Sequence, residues 1–117
     1  MKLTDKVLVD FDGQPMRTPD SRTTWTLRLV LLNACVQPAD PNKPPRDPKE
    51  HRRRFLLAQK LHALKPGEEI DVPIDLVVHL AADINRLYGT MIAHPMNEAL
   101  GVYDDLEGDK SDVGTTH

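Results

Sequence analysis

His79 and Asp83 stand one helical turn apart and are the first side chains in this sequence placed to act together. On one helix face they offer two ligands to a metal ion. Zinc takes three or four, and no third residue is spaced to join them. His51 and His62 share a helical stretch but lie too far apart to chelate together, and His94 precedes Pro95 at the start of a turn. The single cysteine, Cys35, excludes an internal disulfide and a cysteine-built zinc site, and its apolar surroundings fit a small buried hydrophobe. No Ser-His-Asp spacing, phosphate loop or dinucleotide glycine pattern is present. The expectation is a chain with no catalytic residue, no metal site and no cofactor.

A second chemistry is offered by charge. Arg46, Arg52, Arg53, Arg54 and Lys60 form a basic cluster and are the candidate partner-binding residues. Phosphates are one ligand for such a cluster. Acidic protein surfaces are another, and so are Asp47, Glu50 and the acidic C-terminal segment of the chain itself. Three adjacent arginines on a helix splay around most of its circumference, so they cannot all enter one groove. The net charge of −3 supplies no global attraction to nucleic acid or to an anionic membrane. The few aromatic residues argue against single-strand stacking.

The stretch 7–13, VLVDFDG, resembles the first motif of the haloacid-dehalogenase superfamily, a hydrophobic strand followed by Asp-x-Asp-Gly. The resemblance implies a nucleophile at Asp10 and a general acid at Asp12 beside a magnesium ion. It covers about seven residues, and Gln14 stands where that family has Thr. The family also needs a parallel sheet with alternating helices, and no run of βα units follows residue 30. The same residues read as a hairpin turn. A magnesium-dependent phosphatase is therefore a remote alternative.

These groups must be positioned by some fold, and 117 residues allow one modest core. The strongest periodic stretch is 73–88, PIDLVVHLAADINRLY. Ile74, Val77, Val78, Ala81, Ile84 and Tyr88 line one helix face, and Leu76, Leu80 and Leu87 widen it. A helix this apolar needs cover on several sides. Asp47-Pro48-Lys49-Glu50 opens a second helix with a cap, a first-turn proline and a capping box. That helix runs over 48–64 with Phe55, Leu57, Ala58, Leu61 and Leu64 as its apolar face. Thr26 caps a third over 27–37, and Asn33 on it faces the rim or bonds a loop. A short fourth is expected over 91–100, interrupted or restarted at His94-Pro95. Asp71 is expected to cap the 73–88 helix, and 68–72 reads as an acidic connection.

At the N-terminus, alternating Val7, Val9 and Phe11 lead into Asp12-Gly13, which predicts a hairpin over 6–17 with Thr24-Trp25 joining it. The five aromatic residues are expected to pack. Residues 38–45, PADPNKPP, form an extended connection. Residues 102–117 are acidic and aperiodic and read as a disordered tail, leaving 1–101 as a single globular domain. The fold class is mainly α (α+β): an N-terminal β-hairpin, then a bundle of three to four helices. The start of the chain carries no signal-peptide pattern, and no apolar run reaches membrane-spanning length.

The order of parts resembles small tailed-bacteriophage or prophage accessory and assembly proteins. The features that carry the likeness are the MKL start, the turn Asp12-Gly13-Gln14-Pro15, the helix from Thr26-Leu27 through Asn33-Ala34, the charged helix and the final apolar helical pair. The likeness spans about residues 1–100 at the level of pattern. It implies a non-catalytic protein that acts by binding a phage structural protein or a host protein, as an assembly factor or chaperone or as an inhibitor of a host protein, in the host cytoplasm or within a virion, with self-association as a further mode. The alternative is a nucleic-acid-binding regulatory module built on Arg52–Arg54.

Overall fold

The computed structural model describes residues 1–103. Its fold is mainly α, with an N-terminal hairpin followed by four helices. Of the segment expected as a tail, Val102 packs against the core and Tyr103 meets His94, while 104–117 lie outside the described residues.

The hairpin folds around one closed ring of backbone hydrogen bonds. Leu8 N–H donates to Trp25 C=O (2.9 Å), Trp25 N–H to Met16 C=O (2.7 Å), and Met16 N–H to Leu8 C=O (2.9 Å). Each of the three short extended segments thus pairs with both others, leaving no open edge at their meeting point. Leu8 points into the core, while Val7 and Val9 alternate outward. Thr24 and Thr26 join by bridges to Arg17 and Val7, so Thr24-Trp25 does extend the hairpin.

Helix α1 (Leu27–Val36) starts at Thr26, whose Oγ accepts from Leu29 N–H. A second cap comes from Asp5, a buried carboxylate that accepts from Arg28 N–H at 3.0 Å. A negative charge there is favourable because the helix N-terminus is electropositive. Helix α2 (Pro48–Ala63) begins as the sequence indicates, with Asp47 accepting from Lys49 N–H and Pro48 in the first turn. Glu50 does not complete the capping box; its carboxylate is drawn into an ion cluster described below.

Two strands, β1 (Lys2–Thr4) and β2 (Glu69–Asp71), pair antiparallel with Leu3 opposite Ile70. This replaces the expected acidic connection. Three residues of strand pattern carry little signal alone, and their partners lie about seventy residues away. Asp71 does not cap the next helix. It binds the α-ammonium of Met1 at 3.0 Å, and that ammonium also donates to Val72 C=O. Helix α3 (Ile74–Leu87) starts at Pro73 without a side-chain cap. Helix α4 (Thr90–Ala99) runs through Pro95 without the expected break, forgoing the bond that a residue-95 N–H would make to Met91 C=O.

Helix α3 presents three faces. Leu76, Val77, Leu80, Ala81 and Ile84 are buried against the hairpin side, α1 and α4. Asp75, His79 and Asp83 turn toward α2. Ile74 and Val78, expected in the apolar stripe, are instead 71% and 63% exposed. The stripe is wider than the cover available, so its edge stays open. Phe55 on α2 is likewise exposed. Trp25 and Tyr88 meet edge to face at 5.4 Å, and Asn33 donates to the Tyr88 hydroxyl, linking hairpin, α1 and α3. No helix among the described residues is long and apolar enough to cross a membrane.

The burial pattern separates two positions two residues apart. Leu80→Ala removes a fully buried side chain and should cost about 2–5 kcal/mol in denaturant unfolding. Val78→Ala should change stability by under about 1 kcal/mol, close to the usual surface effect. Equal losses would show that the open face of α3 is misassigned.

Candidate protein interface

The basic cluster does not form one surface. On α2, Arg54 stands three, four and seven residues before Leu57, Ala58 and Leu61, which places it on the buried face. It is only 3% exposed. Its Nη1 lies 2.8 Å from Asp83 Oδ2 and donates to Ala34 C=O, and its Nε lies 3.0 Å from Glu50 Oε2. Arg46, 9% exposed, reaches the same Asp83 oxygen at 2.8 Å, donates to Gln37 C=O and approaches Glu50 at 3.4 Å. Two arginines and two carboxylates thus form a compact cluster joining α1, the proline-rich connection, α2 and α3. No buried side-chain nitrogen or oxygen among the described residues lacks a hydrogen-bond partner.

Arg46 and Arg54, expected on a partner-binding surface, are therefore internal. The physical reason is that two carboxylates and two helix-end carbonyls compensate them in place of water. Arg53 forms a two-pronged pair with Asp75 at 2.6 and 2.8 Å on the rim. Only Arg52 and Lys60 remain as exposed cations of the original five without an ion pair among the described residues. The signal for this division was present in the spacing of Arg54 to Leu57 and Leu61.

His79 Nδ1 lies 2.8 Å from Glu50 Oε1, beside the cluster rather than facing an open metal position. Among the described residues no group of three or more His, Cys, Asp or Glu is placed to hold a metal ion. Asp10 is used by its own turn: Oδ1 accepts from Asp12 N–H and Gln14 N–H, and its C=O accepts from Gly13 N–H. Gly13 has φ +78°, which suits a residue without Cβ. The Cys35 thiol is buried, and burial pushes its pKa up to about 11 although Arg54 and Arg46 pull the other way.

Apolar side chains are open to solvent as well. Phe11, at the tip of the hairpin turn, is 94% exposed, with Val7 and Val9 half-exposed behind it. On the other side a groove of about 470 Å³ lies between α3 and the end of α4. Val77, Val78, Ala81, Leu100 and Val102 line it, and Ile74 stands at its edge. Among the described residues no charged side chain lines this groove, and the α-ammonium of Met1, which also borders it, is paired with Asp71. Asn85, its polar member, exchanges two hydrogen bonds with Asn97.

Against known proteins, the chain matches no family model, no curated sequence and no solved structure.

The Arg53–Asp75 pair gives a titration test. The Arg53 hydrogen bond holds the Asp75 carboxyl down at about 2. A depressed folded-state value means that its stabilisation is complete above the ordinary range near 3.9 and fades as pH falls toward 2. Side-chain NMR should follow Asp75 titrating near 2, and Arg53→Ala should return it toward the ordinary range. An unchanged Asp75 midpoint in that variant would remove the pair from the account.

Proposed function

We propose that this protein acts by contact, without chemistry of its own, as a small protein-binding accessory or assembly protein of the tailed-bacteriophage kind. Its partner is a phage structural protein or a host protein met in the host cytoplasm. The observation that carries this reading is Phe11. A phenylalanine brings about 150–250 Å² of apolar surface, and here it stands almost fully in water. Its turn is held by the three hydrogen bonds that Asp10 accepts, so little conformational freedom is lost when the tip docks. Asp10 and Asp12 flank the ring, which favours an apolar partner pocket with a basic rim. They also disfavour insertion into an anionic membrane. The same likeness to phage proteins that arises from the order of parts in the sequence supports the setting.

The nucleic-acid alternative draws less support. Arg46 and Arg54 are engaged internally and Arg53 is paired, which leaves few cations for phosphate contacts.

A photo-crosslinking phenylalanine analogue at position 11, expressed in the bacterial host during phage infection, should give one discrete protein adduct. The same analogue at exposed Ser21 should not. With that partner purified, Phe11→Ala should weaken binding by roughly 30-fold or more, the mark of a buried anchor, with an unchanged circular dichroism spectrum. Adducts no stronger at 11 than at 21, or undiminished affinity of the alanine variant, would contradict this reading.

A further inference from the structure

We propose that the open face of α3 pairs with the same face of a second copy of this chain, the two α3 helices running antiparallel and crossing at Val78. This surface is separate from the hairpin tip and does not depend on the partner proposed there.

Ile74, Val78 and Ala82 recur every fourth residue and are exposed, so they form one ridge along α3. The ridge tapers from large to small along the chain. The occupant that fits it is a ridge tapering the other way. A second α3 running antiparallel about Val78 supplies that, placing Ile74 of each copy against Ala82 of the other and Val78 against Val78. A parallel pairing would set Ile74 on Ile74 and leave a gap at Ala82. The groove floor, with Ala81 and Gly101, lies beside the ridge on the same face. A two-fold contact needs such a self-complementary patch on both copies.

Electrostatics point to the same occupant. Each copy carries a net charge of −3, so random encounters between copies are weakly repulsive. The α3 ridge carries no charge of its own, so two copies can meet there without opposing like charges. Its polar neighbours are engaged within the same chain: Asp75 with Arg53 on the rim, His79 with Glu50, and the largely buried Asp83 with Arg46 and Arg54. The antiparallel arrangement also sets the N-terminal end of α3, where Asp75 pairs with Arg53, beside the Arg86 end of the partner copy rather than beside a second Asp75. The two helix dipoles oppose favourably in the same arrangement. A 14-residue helix is about 21 Å long, so a crossing with its flanks buries on the order of 1,000 Å². That is the lower end of specific interfaces, where weak, transient affinities are found.

Sedimentation velocity of the full chain over roughly 1–500 µM covers such affinities. The wild type should pass from monomer to dimer, and Val78→Asp should shift the transition at least about tenfold higher in concentration. Position 78 is largely exposed, so the variant should keep the wild-type circular dichroism spectrum. Under mild oxidation Val78→Cys should form a disulfide-linked dimer faster than Ile74→Cys, because only residue 78 meets its own copy at the crossing. A wild type that stays monomeric throughout would overturn the proposal, as would a dimer that Val78→Asp leaves intact. A monomer in which Val78→Asp opens residues 104–117 to proteolysis would overturn it in favour of the chain's own tail on this face. Faster linking through position 74 would overturn the antiparallel register.

Discussion

The carboxylate of Asp83 is where this fold is fastened. One oxygen faces both Arg46 and Arg54 at 2.8 Å, and Arg86 approaches the other at 3.5 Å. Through those arginines it reaches the last carbonyls of α1, at Ala34 and Gln37, and through Glu50 the first turn of α2. Desolvating such a cluster costs nearly as much as its attractions return, so it is a poor source of net stability. It is effective at excluding alternatives. A slip of α3 against α2 would strand buried charges, and each stranded charge is costly.

That constraint shapes what the outside of the molecule offers. The α2-facing side of α3 takes Asp83 inward and pairs Asp75 and His79 at its rim, and the core side takes Leu76, Leu80 and Ile84. The third side, with Ile74 and Val78, reaches solvent and is left apolar. The same economy removes Arg46 and Arg54 from the surface. The protein therefore presents two exposed apolar features, the α3 ridge and the Phe11 tip between Asp10 and Asp12, while part of its basic cluster turns inward.

Local signals in the sequence translated directly into structure. Thr26 and Asp47 cap the helices they precede, because a cap needs only its own next few residues. The Asp10–Gln14 turn and the Trp25 junction follow from turn chemistry and alternation over short spans. Features set by distant partners were not legible. β1 is three residues whose strand character exists only beside Glu69–Asp71. Glu50 looked like a capping-box residue until Arg46, Arg54 and His79 competed for its oxygens. Periodicity correctly marked Ile74 and Val78 as apolar and placed them on α3, but it carries no information about how much of the helix the other elements can cover. Arginine is so often a surface residue that Arg54 read as one, although its spacing to Leu57, Ala58 and Leu61 set it on the inner face.

The central claim, that Asp83 and Arg54 act as one fastening, is tested most directly by a double-mutant cycle. Denaturant unfolding of Arg54→Ala, Asp83→Ala and the double variant would be compared with the wild type. Each single change should cost about 3–5 kcal/mol because it strands a buried charge. The double change should cost less than the sum by about 2 kcal/mol or more. Losses that add to within about 0.5 kcal/mol would contradict the account, showing that the two residues contribute independently.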